Sequence, residues 1–332
     1  MQSKSKLALV FFAVIFVLVL TLAACGQEGS TRAGPTSPKT VQELQGTIRV
    51  SGAWALYPMM VGWGEEFRKI HPKVRIDISA GGAGKGAADA LAGLVDIGMV
   101  SREINPEEVR QGAFYVPVVK DAVFPTLNEG NPVLSKGLAQ KGVRKQTFVD
   151  LWIHGKDLTW GEVAGMTSKD KVRVYTRSDA CGAAETWAQY LERKNQEDLQ
   201  GVGGYGDPGL AEAVRKDVFG IGYNNLNYAY DFKTGLPPKG LSIIPIDVNG
   251  NGRVDPEEDL RTKTKAIQAV ASGHYPSPPA RDLYLITKDG FKGVTKSFVQ
   301  WILTDGQKYV DENGYIKLTK SQMDQSLKKL GN

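Results

Sequence analysis

The sequence predicts an α/β fold with a largely parallel sheet, because strand-like and helix-like patterns alternate along it. Residues 46–51 read as a strand, and apolar residues at helical spacing follow at Met59, Trp63, Phe67 and Ile70. Two further strand-like runs follow before residue 101, with helical spacing between them. This spacing is typical of strand–helix–strand units.

Residues 172–191 are the stretch on which the functional interpretation is centred. Alternating residues predict a strand up to Arg177, and apolar residues at helical spacing predict a helix after a short polar turn. Ser178 and Asp179 are good helix caps, and Gly182 allows a ligand to approach the backbone. Because a helix N-terminus directs free N–H groups and partial positive charge at one point, the turn predicts a small-anion site. The alternative is an ordinary capped helix.

Two more strand ends carry donor groups. Residues 80–86 form a glycine-rich turn between a strand and a helix, where backbone N–H groups can bind an anion. The turn is not a nucleotide-binding P-loop, because Gly86 stands where a metal-binding hydroxyl would follow Lys85. Ser101 and Arg102 end the next strand. Since ligands of open α/β sheets bind beyond the carboxyl ends of the strands, we expect one shared cleft.

The composition excludes some functions. The 332 residues carry 41 Lys and Arg against 36 Asp and Glu, without a basic run, so nucleic acid is not an expected partner. The two cysteines, Cys25 and Cys181, have no metal-ligand spacing. The three histidines are scattered, and no Ser-His-Asp or Cys-His spacing is evident. We therefore expect a protein that is not an enzyme.

The N-terminus has the pattern of an export signal. Lys4 and Lys6 precede an apolar run at residues 7–20, and residues 22–25 resemble the lipobox that ends in a lipidated cysteine. The alternative, an uncleaved membrane anchor, would be at the short limit for spanning a bilayer. We expect a signal peptide over residues 1–24, lipidation of Cys25 and a flexible tether over residues 25–45.

From residue 46 onwards the chain resembles the periplasmic phosphate-binding proteins of ABC importers. The matching segments are residues 52–58, 79–86, 95–98 with Ser101 and Arg102, 177–179 with Gly182, 221–223, 275–276 with 281–284, and 306–307. The resemblance implies a type II periplasmic binding protein fold, with mixed sheets flanked by helices and a ligand cleft between two lobes. Lobe one would comprise residues 46–125 and 275–332, and lobe two residues 126–274.

The resemblance also implies the ligand residues. An oxyanion would be held by side chains of Ser101, Arg102, Arg177 and Ser178 and by backbone N–H groups near Trp54, Ala83 and Gly182. The chain departs from the family where hydroxyl groups are usual, since it has Ala, Trp, Gly and Cys there. Each missing hydrogen bond to a charged group costs about 1.5–3 kcal/mol unless a backbone N–H replaces it. Tungstate, molybdate or sulfate therefore remain alternatives to phosphate. The role of Arg281, at the ligand or at a hinge, stays open.

Residues 247–258 match the twelve-residue calcium loop. The ligand positions of this pattern fall at Asp247, Asn249, Asn251, Arg253 (through its carbonyl), Asp255 and Glu258. A strand-like run precedes the loop, so the usual pair of helices is not expected. The alternative is a polar Asn-Gly turn. We expect a structural Ca²⁺.

Together these features predict an exported, lipid-anchored, monomeric receptor that closes on an oxyanion and delivers it to an ABC permease and ATPase. The alternative from another class is a calcium-dependent surface lipoprotein used for adhesion or sensing. Arg177→Ala is expected to abolish oxyanion binding with little loss of stability.

Overall fold

Two hydrophobic cores organise residues 43–331, the part of the chain that the computed structural model describes. One core draws on residues 48–119 and 283–330 and is called lobe one, and the other draws on residues 122–280 and is called lobe two. The boundaries between the two cores lie between residues 119 and 122 and between residues 280 and 283, a few residues from the expected limits at 125 and 275. The predicted signal peptide, Cys25 and most of the predicted tether lie outside the described residues.

The strands of these residues form a mixed sheet. They are β1 (Gly46–Gly52), β2 (Val74–Ala80), β3 (Ile97–Val100), β4 (Ala113–Asn128), β5 (Arg173–Arg177), β6 (Val202–Gly204), β7 (Gly220–Asn225), β8 (Leu241–Ile243) and β9 (Ala280–Lys288). Their order is β2-β1-β3-β9-β4-β7-β5-β6, with β8 beside β4. β1 pairs in parallel with β2 and β3, and β5 with β6 and β7, whereas β4 and β9 make antiparallel pairs.

Helices connect most of the strands. The α-helices are α1 (Tyr57–Ile70), α2 (Ala83–Leu91), α3 (Pro106–Arg110), α4 (Ala139–Lys141), α5 (Lys145–Trp152), α6 (Trp160–Ala164), α7 (Gly182–Tyr190), α8 (Gly206–Lys216), α9 (Leu226–Ala229), α10 (Lys263–Ser272), α11 (Gly293–Leu303) and α12 (Lys320–Gly331). Short 3₁₀ turns lie at Gln196–Asp198, Pro256–Glu258 and Asp305–Tyr309, and an irregular turn at Leu134–Leu138. The predicted α/β class is confirmed.

Helix α1 shows how the apolar pattern builds lobe one. Met59, Trp63 and Phe67 recur at helical spacing and are almost completely buried, so one face of α1 lies in the core. Pro58 stands in the first turn, where the helix needs no N–H donor. The indole of Trp63 donates to the carbonyl of Gly306 at 2.9 Å, which fixes α1 to the C-terminal part of the chain.

Strand β4 passes through both lobes. Up to Ala122 it pairs with β9, and from Val123 it pairs with β7 and then also with β8. Asp121 of β4 stands opposite Arg281 of β9 at this crossing point, which is called the hinge. Within residues 43–331, no helix combines the length and the hydrophobicity needed to cross a bilayer.

Candidate functional site between the lobes

Two helix N-termini meet where lobe one contacts lobe two. α2 begins at Ala83 and α7 begins at Gly182, and the N–H of Gly84 donates to the carbonyl of Ala180 at 3.3 Å. Gly82 has a φ of +92°, and a Cβ there would lie 2.4 Å from the Ala180 oxygen, so the contact requires glycine. The first N–H groups of each helix have no acceptor within that helix. They are therefore suited to an anion at this contact.

Arg177, the last residue of β5, has a side chain that is completely buried between two carboxylates. Its Nε and Nη2 donate to the two oxygens of Asp179 at 2.8 and 2.7 Å, and its Nη1 donates to Oδ2 of Asp207 at 2.8 Å. Burial opposes the charged guanidinium, but the two carboxylates outweigh it and raise the pKa of Arg177. Three of its five N–H groups are thus used, which leaves two for a further acceptor.

A chain of hydrogen bonds connects Arg177 to the hinge. Asp207 accepts from the backbone N–H of Asn225 at 3.1 Å and from its Nδ2 at 2.8 Å. Oδ1 of Asn225 accepts from Nη2 of Arg281, which also lies 3.5 Å from Oδ2 of Asp121. These five residues are called the hinge network. Among the described residues, Nε and Nη1 of Arg281 are buried without an acceptor.

Asp121 and Arg281 are the titratable pair at the hinge. Burial raises the pKa of Asp121 to about 6, although Arg281 and the backbone N–H of Leu226, which donates to Oδ1 at 3.2 Å, act in the opposite direction. Burial also lowers the pKa of Arg281. The hinge therefore holds an acid that changes charge in mildly acidic solution.

Three members of the hinge network were not predicted from the sequence. Asp207 follows Gly206 in the first turn of α8, and it belongs to a strand–turn–helix unit of the same kind as the predicted turns. Asp121 follows Lys120 in the middle of β4, between two apolar runs, which is an unusual position for an acid. Asn225 ends β7 and has no comparable signal. In the sequence, an acid inside a long strand-like run and the repeated turn pattern could have identified the first two.

Ser101 and Arg102 follow β3 and are both buried, but their surroundings differ. A Cβ on Gly182 would lie 2.4 Å from Oγ of Ser101, so this hydroxyl is next to the start of α7. Arg102 instead donates to both oxygens of Glu108 at 2.9 and 2.7 Å, and its Nε lies 2.9 Å from Oε2 of Glu185. The donors of Arg102 are thus directed at carboxylates, and its role as an anion ligand stays a prediction.

Trp54 also lies between the lobes, whereas Ser178 is exposed. A Cβ on Gly206 would be 3.0 Å from the indole of Trp54, and within residues 43–331 the indole nitrogen is buried without an acceptor. The backbone N–H of Gly206 donates to Asp179, so Trp54 is near the carboxylates that hold Arg177. Ser178 is exposed, and its use as a ligand stays a prediction.

Cys181 caps α7 in place of a hydroxyl residue. Its Sγ accepts from the N–H of Ala184 at 3.4 Å. Burial raises the pKa of the thiol to about 12, so the group is protonated at neutral pH. A thiol is a weak hydrogen-bond donor, so Cys181 would donate a weaker hydrogen bond to an anion than serine would.

The predicted calcium loop belongs to lobe two and begins a few residues after β8. In the described part of the chain, His, Cys, Asp and Glu side chains do not gather in a group of three or more that could hold a metal ion. The three acids of the loop are separated by asparagines, whose amide oxygens would be further ligands of calcium.

Proteins with similar sequences include several phosphate-binding proteins. The phosphate-binding protein PstS of Bacillus subtilis (strain 168) is 25% identical over 323 residues, covering 96% of this chain and 96% of that protein. PstS of Methanocaldococcus jannaschii is 25% identical over 365 residues, covering 92% of this chain and 90% of that protein. Both matches confirm the resemblance inferred from the sequence motifs.

The fold also matches solved structures. A phosphate ABC transporter substrate-binding protein from Clostridium perfringens, with bound phosphate, superposes with a TM-score of 0.67 at 22% identity, covering 82% of this chain and all of that chain. An ABC-type phosphate transport receptor from Vibrio cholerae gives a TM-score of 0.60 at 17% identity with the same coverage. The predicted type II periplasmic binding protein fold is confirmed. A family model described as a PBP superfamily domain matches residues 37–306, and the chain belongs to this family.

Proposed function

We propose that the chain is the solute-binding component of an ABC importer and holds phosphate, or a related tetrahedral oxyanion, between its lobes. The observation that carries the proposal is the meeting of the N-termini of α2 and α7 at the lobe contact, close to the buried guanidinium of Arg177. Two helix N-termini supply N–H donors and partial positive charge at one position. Arg177 adds N–H donors there, although its charge is compensated by Asp179 and Asp207. The relatives named as phosphate-binding proteins support the same ligand.

Backbone groups can replace the hydroxyls that the chain lacks. The N–H groups of Gly84 and Ala184 already donate to Ala180 and Cys181. The other N–H groups in the first turns of α2 and α7 are donors whose position does not depend on the side chain. Arg177 keeps two N–H groups beyond those used by Asp179 and Asp207, and Ser101 adds a hydroxyl beside Gly182. A tetrahedral oxyanion has enough acceptor oxygens to take all of them.

The carboxylates beside Arg177 favour phosphate over sulfate. At neutral pH phosphate retains a proton that it can donate to a carboxylate, whereas sulfate, molybdate and tungstate have none and meet only repulsion. Two charges about 6 Å apart interact by about 2–3 kcal/mol at the effective dielectric constant typical of protein sites. Asp207 should therefore weaken binding of an unprotonated dianion more than tenfold.

Calorimetric titration of the purified chain with phosphate, sulfate, molybdate and tungstate tests the proposal. Wild type should bind phosphate most tightly. Asp207→Asn should strengthen sulfate binding more than tenfold and reduce the preference for phosphate. Asp217→Asn is the matched control, because Asp217 is also buried but accepts from Tyr175 and Phe219 outside the hinge network. Failure of wild type to bind any of the four anions would refute the function. Equal anion selectivity in wild type and Asp207→Asn would refute the role of the carboxylate.

We also propose that Cys25 carries the lipid that holds the receptor at the outer face of the membrane. The lysines, the apolar run and the small residues before Cys25 support this assignment. Cys25→Ala should yield unprocessed precursor without incorporated labelled fatty acid, whereas Cys181→Ala, which alters the other cysteine, should be processed normally. Equal labelling of Cys25→Ala and wild type would contradict the anchor.

Delivery to a permease follows from the binding role and requires its own test. A strain without the gene should lose uptake of labelled phosphate at low external concentration, and the wild-type gene should restore it. Normal uptake in the deletion strain, together with loss of surface attachment, would favour the alternative of a surface lipoprotein used for adhesion.

A further inference from the structure

The loop over residues 247–258 has side-chain oxygens directed at its own backbone. Oδ2 of Asp247 accepts from the N–H of Gly252 at 3.0 Å. Oδ1 of Asn249 accepts from the N–H of Asn251 at 3.0 Å, and Oδ1 of Asn251 accepts from the N–H of Arg253 at 2.9 Å. The chain therefore wraps around the oxygens at the first, third and fifth positions of the loop.

Glu258 joins the two ends of the loop. Its Oε1 accepts from the N–H of Val248 at 2.8 Å, and its Oε2 accepts from the N–H of Asp255 at 3.1 Å. The residue is 8% exposed although it is a glutamate near the protein surface. The acid at the twelfth position is thus held close to the start of the loop.

One carboxylate oxygen of the loop is buried without a hydrogen-bond donor among the described residues. Asp247 is only 4% exposed, and its Oδ1 is buried with no hydrogen-bond donor among the described residues. Its other oxygen accepts from Gly252 within the loop and lies 3.2 Å from Nε of Arg144, whose own side chain is 60% exposed. A buried carboxylate oxygen without a partner is unfavourable, and a bound cation would supply the missing partner.

We propose that this loop binds one Ca²⁺. The ligands are the side chains of Asp247, Asn249, Asn251, Asp255 and Glu258 and the carbonyl of Arg253. Oxygen ligands of mixed acid and amide type, without histidine or cysteine, suit calcium rather than zinc or copper. Each amide oxygen has a second lone pair for the ion beside the one used by the backbone N–H.

Ion binding must draw the three acids closer together than they now lie. Asp255 accepts from Nδ2 of Asn249 at 2.7 Å and from Nδ2 of Asn251 at 2.8 Å, and Nε of Arg253 lies 3.1 Å from its other oxygen. Because these donor groups are exposed, water can replace Asp255 as their hydrogen-bond acceptor at little cost.

The bound ion would stabilise lobe two, because the loop is tied to the segment before α5. The N–H of Asp247 donates to the carbonyl of Val143 at 3.1 Å, and the N–H of Val254 donates to the carbonyl of Gln140 at 2.7 Å. Two parts of lobe two that are far apart in the sequence would thus be held by one cation. This role is independent of the oxyanion site.

The test uses the purified chain after chelation. Wild type should bind one calcium per chain in calorimetry, and its melting temperature should rise by several degrees on adding millimolar calcium. Glu258→Gln should abolish this rise while Glu257→Gln, its exposed neighbour, should keep it. A wild-type melting curve that does not respond to calcium would overturn the proposal, as would equal binding by Glu258→Gln. An equal response to magnesium at the same concentration would overturn the assignment to calcium.

Discussion

The Nε of Arg102, at the end of β3 in lobe one, lies 2.9 Å from Oε2 of Glu185, in the first turn of α7 in lobe two. Both side chains are largely buried, at 7% and 22% exposure. Arg102 is also held within lobe one by two hydrogen bonds to Glu108. This ion pair therefore couples lobe closure to the start of α7.

Glu185→Gln should loosen the contact between the lobes. The variant keeps the size of the side chain but removes the charge that faces Arg102, and we expect a loss of about 1 kcal/mol because the pair is partly accessible to water. Amide hydrogen exchange of residues 182–186 should become several-fold faster. Glu107→Gln is the control, since Glu107 pairs with Arg110 on the surface of one short helix. Unchanged exchange in Glu185→Gln would show that the pair does not hold the lobes.

Arg177→Ala should destabilise the folded chain. The sequence suggested an empty anion site that would tolerate the change, but the structure has the guanidinium between two buried carboxylates. Removing it leaves Asp179 and Asp207 without their cation, which costs about 3–5 kcal/mol. Urea unfolding should detect this loss. Arg173→Ala on the same strand should cost at most about 1 kcal/mol, because Arg173 is 62% exposed. Similar unfolding midpoints for the two variants would contradict the prediction.

Asp121→Asn should remove a pH dependence of stability. Burial raises the pKa of Asp121 from 3.8 to about 6, so between these values the folded chain keeps a proton that the unfolded chain has released. The free energy of unfolding contributed by Asp121 is therefore fully present below pH 3.8 and is lost as the pH rises through about 6. A loss of about 3 kcal/mol over this window is expected in wild type relative to Asp121→Asn.

Chemical unfolding at several pH values between 4 and 7 measures this difference. Asp282→Asn changes the neighbouring acid of β9, which pairs with Lys120, and this control should retain the wild-type pH slope. Parallel curves for wild type and Asp121→Asn would mean that Asp121 does not titrate in this range.

Cys181→Ser should increase the affinity for phosphate. The hydroxyl would be a stronger donor than the protonated thiol at the start of α7, and a hydrogen bond to a charged group contributes about 1.5–3 kcal/mol. We expect at least a tenfold lower Kd by calorimetry. Cys181→Ala removes the donor without adding a hydroxyl and should not gain affinity. Equal affinities of the two variants would place the anion away from this helix.

The parts of the structure that depend on neighbouring residues in the chain could be predicted. Met59, Trp63 and Phe67 follow the helical repeat and lie in the core, but Ile70 of the same repeat is 55% exposed because α1 ends there. The turns before α2 and α7 could also be anticipated, since a strand end, small polar residues and a helix start are contiguous in sequence.

Long-range partners of these turns could not be predicted in the same way. Arg177 pairs with Asp207 on a different strand–helix unit, and Arg102 pairs with Glu185 in the other lobe. Such pairs depend on the sheet order and on how the lobes meet, which no local pattern encodes. The motifs therefore point to both arginines, but they do not show which carboxylates pair with them.

The contact of Trp54 with Gly206 allows lobe movement to be followed by tryptophan fluorescence. Of the six tryptophans, five are buried, each within the core of one lobe or the other. The indole of Trp54 instead lies against a residue of the opposite lobe. If the lobes separate, this one indole enters water while the others keep their surroundings. The red shift of its emission would report opening and closing in the unlabelled protein, and a Trp54→Phe variant would identify the signal.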